Sequence, residues 1–521
     1  MMSKHWKKIF WVYLFTLGLI CISIGGFATS IYGAGVGTDG ALQISTADSL
    51  LRGEGLRDYN ATLFVRWPPL YPVTIAALSW STGIDTLTVG WYLNLFSFGL
   101  VVWLGGALLL ESFRDKPMWP FLGSLVIATS TSLLSISVNI GTDILFTALV
   151  LAFLLAASRY LVSKSVWSIA AMGLLASLSA LMRIPGVTLI GTGAIFILYS
   201  NRSVIGKGFL KALLFSIITV LPMIAWAIST NDLNDDTFFG VYLFASTWPL
   251  TNLQDGLFKI LHWFIPYNLA TNILTPLIIA LLLAVLLLVS RKQDRSRLGR
   301  RLGQPAALSS LLFGGLYFAF VVLTINSLDT RDTFFDRYYI VILVPLLILL
   351  FAILEELVIN RLERYQNLAR WMVVVLFAVW LIYPIYNLQK YARYSRLEGV
   401  LTYNRFNTRA LRESEVVKLL QTIGEHDNQV IFTNYSAAAW YYTRKNVANS
   451  PRGSIMGDLD FDDLIQEYQG WPGDEPGYLV WFLPNFYDHV LEPELLAELA
   501  ELDAIYKGSD GEVYRVKARS P

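Results

Sequence analysis

The sequence is poor in charge. Only 15% of its 521 residues are Asp, Glu, Lys or Arg, against about a quarter in an average soluble domain, which excludes an ordinary water-soluble protein. Forty basic residues stand against 39 acidic ones, a net charge of +1, so there is no cationic excess with which to grip nucleic acid. The single cysteine, Cys21, rules out an intramolecular disulfide and reads as a small hydrophobe inside an apolar run. The chain has four histidines, and no His/Cys cluster at metal-ligand spacing, which argues against a structural zinc site. No repeat of fixed period and no low-complexity tract interrupts it.

Apolar residues are abundant, at 55% of the chain. "IFWVYLFTLGLICISIGGFATSI" (residues 9–31) and "NILTPLIIALLLAVLLLVS" (272–290) carry no charge, and each is near the ~20 residues that a bilayer-spanning helix needs. Lys4, Lys7 and Lys8 precede the first run, but its length exceeds the ~7–15 residues of a secretory signal core, so it reads as an uncleaved anchor. Further runs lie at 86–110, 119–138, 142–157, 167–182, 186–199, 210–229, 306–325, 338–354 and 371–386. The expected architecture is an α-helical polytopic membrane protein of about eleven transmembrane helices. The two spans flanking "RIPG" (183–186) are the shortest.

Charge asymmetry orients these spans. With the N-terminus cytoplasmic, the inward loops hold Arg114 and Lys116, Arg159 and Lys164, Arg202, Lys207 and Lys211, "RKQDRSRLGRR" (291–301), and Arg361, Arg364 and Arg370. The outward loops hold "NDLNDD" (231–236) and "DTRDTFFD" (329–336). An odd number of spans follows, so the C-terminus is expected outside, in a multi-pass protein of the plasma (inner) membrane. From about residue 388 the composition becomes that of a soluble domain. "SEVVKLLQTIGEH" reads as an amphipathic helix capped by Ser414, "NQVIFTN" and "YLVWFLP" as buried strands, and "EPELLAELAEL" as another helix. The expected domains are therefore 1–388, membrane-embedded with a first outer loop at about 32–85, and 389–521, a small extracytoplasmic α/β domain.

The first outer loop opens with "YGAGVGTDGALQIS" (32–45), where four glycines surround Asp39. A dinucleotide fingerprint needs a strand ahead of it; here a membrane helix precedes, so the nucleotide reading fails. Asp39 stands where an N-cap would, as either a capping carboxylate or a catalytic one. "RWPPLYP" (66–72) sets two prolines where a helix can begin, with Arg66 just ahead. A helix N-terminus beside an arginine can seat a phosphate, and the same residues can form an interfacial turn bound to lipid headgroups.

In this order the motifs resemble the GT-C glycosyltransferases, most closely the branch of protein O-mannosyltransferases and aminoarabinose transferases. The likeness rests on an acid after the first span, a short helix, and a basic residue before "PPLYP". It continues through "GTDILFTALVLAFLLA" with Asp143, "GLLASLSALMRIPGV" with Arg183, and "DRYYIVILVPLL" with Arg337 and Tyr338, and covers about the first 350 residues. Gly40 stands where many relatives have a second acid, which bears on any metal held there and leaves a divalent metal ion open. The resemblance implies a polyprenyl-phosphate sugar as donor and an inverting transfer to an extracytoplasmic hydroxyl of a protein, lipid or glycan. It implies Asp39 as the catalytic base, and Arg66, Arg183 and Arg337 as phosphate ligands. Asp143, Trp67, Tyr71, His262 and Tyr338 are candidate lining residues. The bland readings are a helix start for Asp143, snorkelling for Arg183, pairing with Asp336 or Asp332 for Arg337, and an interfacial place beside Trp263 for His262. A transporter or a lipid or glycan flippase is the rival function. It would place charges and broken helices near the midplane, often in two related halves; here the polar residues gather at the outer face. A non-catalytic envelope scaffold is a third.

Overall fold

A computed structural model describes residues 4–65, 67–230, 249–266, 291–324, 336–400, 406–426, 429–452, 470–473, 475–485 and 490–519, with 276, 279, 280, 283 and 468. Apolar helices dominate. Among the described residues seven are long and apolar enough to cross a membrane: His5–Ala28, Thr86–Ser112, Asp143–Ser163, Ile205–Ser229, Pro305–Thr324, Asp336–Leu362 and Gln366–Glu398. The segment expected at 119–138 is a pair of helices, Met118–Ala128 and Thr131–Val138, bent by 48°. Those expected at 167–182 and 186–199 are the shorter apolar helices Val166–Met182 and Ile184–Ser200; at 1.5 Å per residue, about 17 residues fall short of a 30 Å hydrocarbon core unless the bilayer adjusts. The segment expected at 272–290 lies almost wholly outside the described residues, as do "NDLNDD" and most of "DTRDTFFD". The chain is a multi-pass membrane protein.

Packing divides it into two compact units, Met1–Ala28, Val65–Tyr71 and Trp91–Tyr394 in one, and Thr29–Phe64, Pro72–Gly90 and Ser395–Pro521 in the other. In the first, helices meet where side chains are small, as membrane helices do without a hydrophobic drive between them. A Cβ on Gly18 would stand 3.2 Å from the carbonyl oxygen of Gly99, so the first span and the span Thr86–Ser112 cross nearly backbone to backbone. The bend at residues 129–130 has a local cause. Ser130 leaves the helix with extended backbone and its hydroxyl accepts from the Leu133 N–H at 3.3 Å, restarting the helix as an N-cap. Near its other end the span Asp336–Leu362 opens into a wide π-turn, Leu354–Ile359, carrying the buried Glu355 and Glu356.

The second unit holds a five-stranded sheet: β1 (Ile431–Thr433), β2 (Ala448–Asn449), β3 (Gly477–Phe482), β4 (Ala500–Gly508) and β5 (Gly511–Ala518), in the order β2-β1-β3-β5-β4. β1 runs parallel to β2 and β3, and β5 antiparallel to β3 and β4. Phe432, Leu479, Trp481, Leu496, Tyr514 and Val516 form its core. The helix expected over "EPELLAELAEL" stops at Leu499, and Ala500 begins β4. The Ser509–Asp510 turn lets 500–508 fold back on 511–518, and this hairpin overrides the helical pattern of its first residues.

The same unit explains the glycines of the first outer loop. Gly33 has φ +78°, a left-handed conformation that suits glycine. The Asn407 amide donates to the carbonyls of Tyr32 and of Ala34, the latter at 2.8 Å, and Phe406 N–H donates to Val36 O at 3.2 Å. Arg412 Nε donates to Asn407 Oδ1 at 2.8 Å and fixes the amide's orientation. The loop's backbone carbonyls are thus held by the C-terminal segment.

Candidate functional site

Arg183 is where a membrane helix stops. The helix Val166–Met182 cannot run on through Pro185, which has no N–H to donate and whose ring would clash with the carbonyl four residues back, and Arg183 is extended, at φ −152° and ψ 141°. A short 3₁₀ turn, Ile184–Val187, then folds back so closely that a Cβ on Gly186 would overlap the backbone of Ser179 and Ala180. Asp143 begins the span Asp143–Ser163, a position that favours a carboxylate. The fold brings the two together as an ion pair, with side chains 14% and 10% exposed.

Tyr338 joins them to a second arginine. The Arg183 guanidinium lies 5.5 Å from the centre of its ring and that of Arg337 5.2 Å, both within cation–π range; Arg337 also donates to the Tyr338 hydroxyl at 3.3 Å. Beside them the Ser132 hydroxyl, supplied by the restarted half of the bent span, donates to Asp336 at 2.6 Å. Asp336 in turn faces Lys259 and His262 on the amphipathic helix Pro249–His262. Burial lowers the pKa of Lys259, against the pull of Asp336 and Asp255. Burial also pushes His262 below the usual histidine range, so at neutral pH it is an uncharged imidazole, its ring edge-on to Phe258 at 4.3 Å. Three cations and two carboxylates therefore gather here, held by aromatic rings in a low-dielectric setting where each charge counts for more.

Tyr71 is fully buried. Its hydroxyl donates to Asn94 Oδ1 at 3.0 Å, and the Asn94 amide donates to the carbonyls of Asn139 at 2.5 Å and Gly141 at 3.2 Å. One asparagine thus ties "PPLYP" to the turn that leads into Asp143. Trp67 is half-buried in the same segment, and Arg66 lies outside the described residues.

Asp39 belongs to the other unit and does not stand where expected. Gly37, with extended backbone, is the N-cap of the helix Thr38–Leu51, and Asp39 is its second residue. The helix begins early because Gly37 O already accepts from Ala41 N–H at 2.9 Å. The carboxylate therefore lies in the first turn, favoured by the helix dipole rather than as the cap itself. Further along, Asp48 accepts from Thr86 at 2.5 Å and pairs with Arg444 at 3.5 Å.

Of the expected residues, Asp143, Arg183, Arg337 and Tyr338 are brought together, and His262 reaches the same cluster through Asp336. Reading the sequence missed Asn94, Ser132 and Lys259. A lone Asn in "TVGWYLNLFSF" was a usable signal, since an amide in hydrocarbon needs partners. Among the described residues no group of three or more His, Cys, Asp or Glu is placed to hold a metal ion, so no step is assigned to one.

The fold has known counterparts. The crystal structure of ArnT from Cupriavidus metallidurans in the apo state matches with a TM-score of 0.61 at 12% identity, over 97% of both chains. The structure of the same protein bound to undecaprenyl phosphate matches at 0.59 and 13%, over 97% of this chain and 98% of that one. The cryo-EM structure of the arabinofuranosyltransferase AftD from Mycobacteria matches at 0.50 and 12%, covering 99% of this chain and 40% of that one. No family profile matches the sequence, and no curated protein does. The chain has the fold of ArnT.

Proposed function

We propose that this protein is an integral-membrane glycosyltransferase that moves a sugar from a polyprenyl-phosphate donor to an acceptor hydroxyl on the extracytoplasmic side, with inversion. The observation that carries the reading is the pair of guanidiniums, Arg183 and Arg337, each within cation–π range of Tyr338, with Lys259 reaching the neighbouring Asp336. A cationic, largely buried cluster at the ends of membrane helices suits a phosphate that carries a lipid tail. The shared fold adds weight, because ArnT has been solved with undecaprenyl phosphate bound.

In the reaction the acceptor oxygen attacks the anomeric carbon as the bond from that carbon to the phosphate oxygen breaks. The electron pair leaves with the lipid phosphate, which gains a negative charge that Arg183, Arg337 and Arg66 would stabilise. Asp39, in the other compact unit, is assigned the proton of the attacking hydroxyl. A single displacement inverts the anomeric centre. Asp143 orients Arg183, while Trp67, Tyr71 and Tyr338 shape the donor's surroundings. His262, uncharged at neutral pH, is suited to a hydrogen bond rather than to charge.

Incubating the purified protein with a panel of polyprenyl-phosphate sugars, and following release of lipid phosphate, tests this directly. Sugar-dependent release supports the transferase. Translocation of a lipid-linked sugar across a vesicle membrane without release would favour the flippase instead.

A further inference from the structure

We propose that the helix Lys292–Leu302 is a docking surface for the headgroups of anionic phospholipids. Its sequence, "KQDRSRLGRRL", follows Arg291. Arg291, Lys292, Arg295 and Arg300 are exposed, while Asp294 and Arg301 are buried. Arg291 and Arg295 stand four residues apart, as do Arg297 and Arg301, a spacing at which like charges on a helix repel. Eleven residues with this crowding would not hold a helix in water. The fold holds it instead. Arg301 turns inward and grips the Asp115 carboxylate with Nη1 at 2.7 Å and Nη2 at 2.9 Å, and reaches Glu356 through Nε at 3.0 Å.

Glu355 and Glu356 at this end of the bundle are already engaged. Glu355, fully buried, receives Lys116 at 2.8 Å, Arg370 at 3.0 Å and the Trp119 indole at 3.0 Å. Glu356 also receives the Asn360 amide at 2.8 Å. Among the described residues, therefore, none of the four exposed cations meets a carboxylate. Some exposed cations of the sheet unit do, as in Arg52–Glu54, Arg409–Glu413 and Lys418–Glu415; Arg159, Lys164, Arg202 and Lys207, like the four here, are exposed and meet none among the described residues. Four exposed cations on one short helix, met by no carboxylate among the described residues, suit an anion from outside the chain.

Location identifies that anion. The helix is followed within three residues by the span Pro305–Thr324 and packs on the turn Leu354–Ile359. Just beyond that turn Leu362, Tyr365, Leu368 and Trp371 are exposed. Basic side chains beside exposed aromatic and aliphatic ones are the composition of a headgroup layer. The helix itself is too polar to insert, so it meets headgroups and not acyl chains.

The test is lipid selectivity of the full chain in phosphatidylcholine vesicles, probed with spin-labelled phosphatidylglycerol or phosphatidylcholine. The wild type should take phosphatidylglycerol into its motionally restricted shell about fivefold in preference, the factor that one basic residue near an anionic surface supplies. Changing R291Q, K292Q, R295Q and R300Q together should abolish the preference. An equal charge loss at exposed cations that already meet a carboxylate, through R409Q, K418Q, K507Q and K517Q, should preserve most of it. Should the first variant fail to fold, the wild type serves alone, because its preference must fall as salt is raised. Equal uptake of both probes by the wild type overturns the proposal and leaves the row to a soluble polyanion. Full selectivity in the first variant, or its equal loss in the second, overturns it as well.

Discussion

Arg183 has a proposed role and a structural one that a single substitution would confuse. Removing it takes a cation from the proposed phosphate site, and also leaves Asp143 as a buried carboxylate without its partner. Breaking such a pair costs about 3–5 kcal/mol. We therefore expect Arg183→Ala to lower the thermal midpoint of the full chain markedly, and the Asp143→Asn/Arg183→Ala double variant to recover much of that loss while still failing to turn over donor. Recovery of turnover in the double variant would remove Arg183 from the phosphate's surroundings. Asn94 poses a cleaner structural question. Tyr71→Phe strands a buried acceptor on Asn94, at a cost of about 1–3 kcal/mol, and Asn94→Leu strands the Tyr71 hydroxyl together with two carbonyls. Combining the two should cost less than the sum of the singles, and strict additivity in chemical denaturation would mean that the hydrogen bond contributes nothing. For Asp39, an amide in the first turn forfeits only a small dipole term, about 0.3–1 kcal/mol. Asp39→Asn is thus expected to fold and bind donor, yet transfer sugar about 10²-fold more slowly or worse; near-normal transfer would leave Asp39 as a stabilising helix residue and nothing more.

The spans were legible because hydrocarbon forces long charge-free runs, and "IFWVYLFTLGLICISIGGFATSI" admits little else. The bend after Ala128 was not, because "IATSTSLLSIS" stays apolar enough to pass for one helix until Ser130 takes up its cap. β4 was hidden because "EPELLAELAEL" carries helical spacing up to the point where pairing with β5 takes over. Asp143 and Arg183 were each visible as charges at span ends, but that they pair is a fact of tertiary structure. The helix Glu415–His426 shows a further contact of this kind. Ser414 begins it as expected, its hydroxyl accepting from the Val417 N–H at 3.4 Å. A second cap then arrives from the β4–β5 turn, where Asp510 accepts from the Ser414 hydroxyl at 2.6 Å, the Tyr506 hydroxyl at 2.7 Å and the Val416 N–H at 3.2 Å. Burial alone would raise the Asp510 pKa, but these donors outweigh it and hold the carboxyl below its ordinary value. A carboxylate so depressed stabilises the fold above about pH 4, and that contribution fades as the pH falls through its folded pKa. Asp510→Asn should cost about 1 kcal/mol at neutral pH, because a neutral amide oxygen accepts more weakly than a charged carboxylate, and the difference from wild type should shrink on acidification. Amide hydrogen exchange along residues 415–426 reads this out, and a gap that stays constant with pH would show that the charge is irrelevant.

Across the whole molecule, the C-terminal sheet unit is proposed to lie outside the cell, following the positive-inside pattern of the loops. A reporter fused after Pro521 should be active only on the extracytoplasmic side; cytoplasmic signal would overturn the odd span count and move the proposed site with it. The span Asp336–Leu362 links the two ends of the bundle within a single helix. Asp336, Arg337 and Tyr338 stand at its start, and the π-turn with Glu355 and Glu356 lies near its end. A π-turn holds one residue more than an α-helical turn in the same stretch, so it works as a reserve of length. Deleting one residue between Leu354 and Ile359 would let the helix close into regular α form without disturbing the register at its start. The residues beyond it would keep their phase, because the turn absorbs the loss, but Glu355 and Glu356 lie within the turn and would be re-aimed, so the carboxylates that clamp Lys116, Arg370 and Arg301 could not all keep their partners. Drift in the length of this helix would thus be felt at the ion-paired end alone, while the arginines around Tyr338 kept their phase.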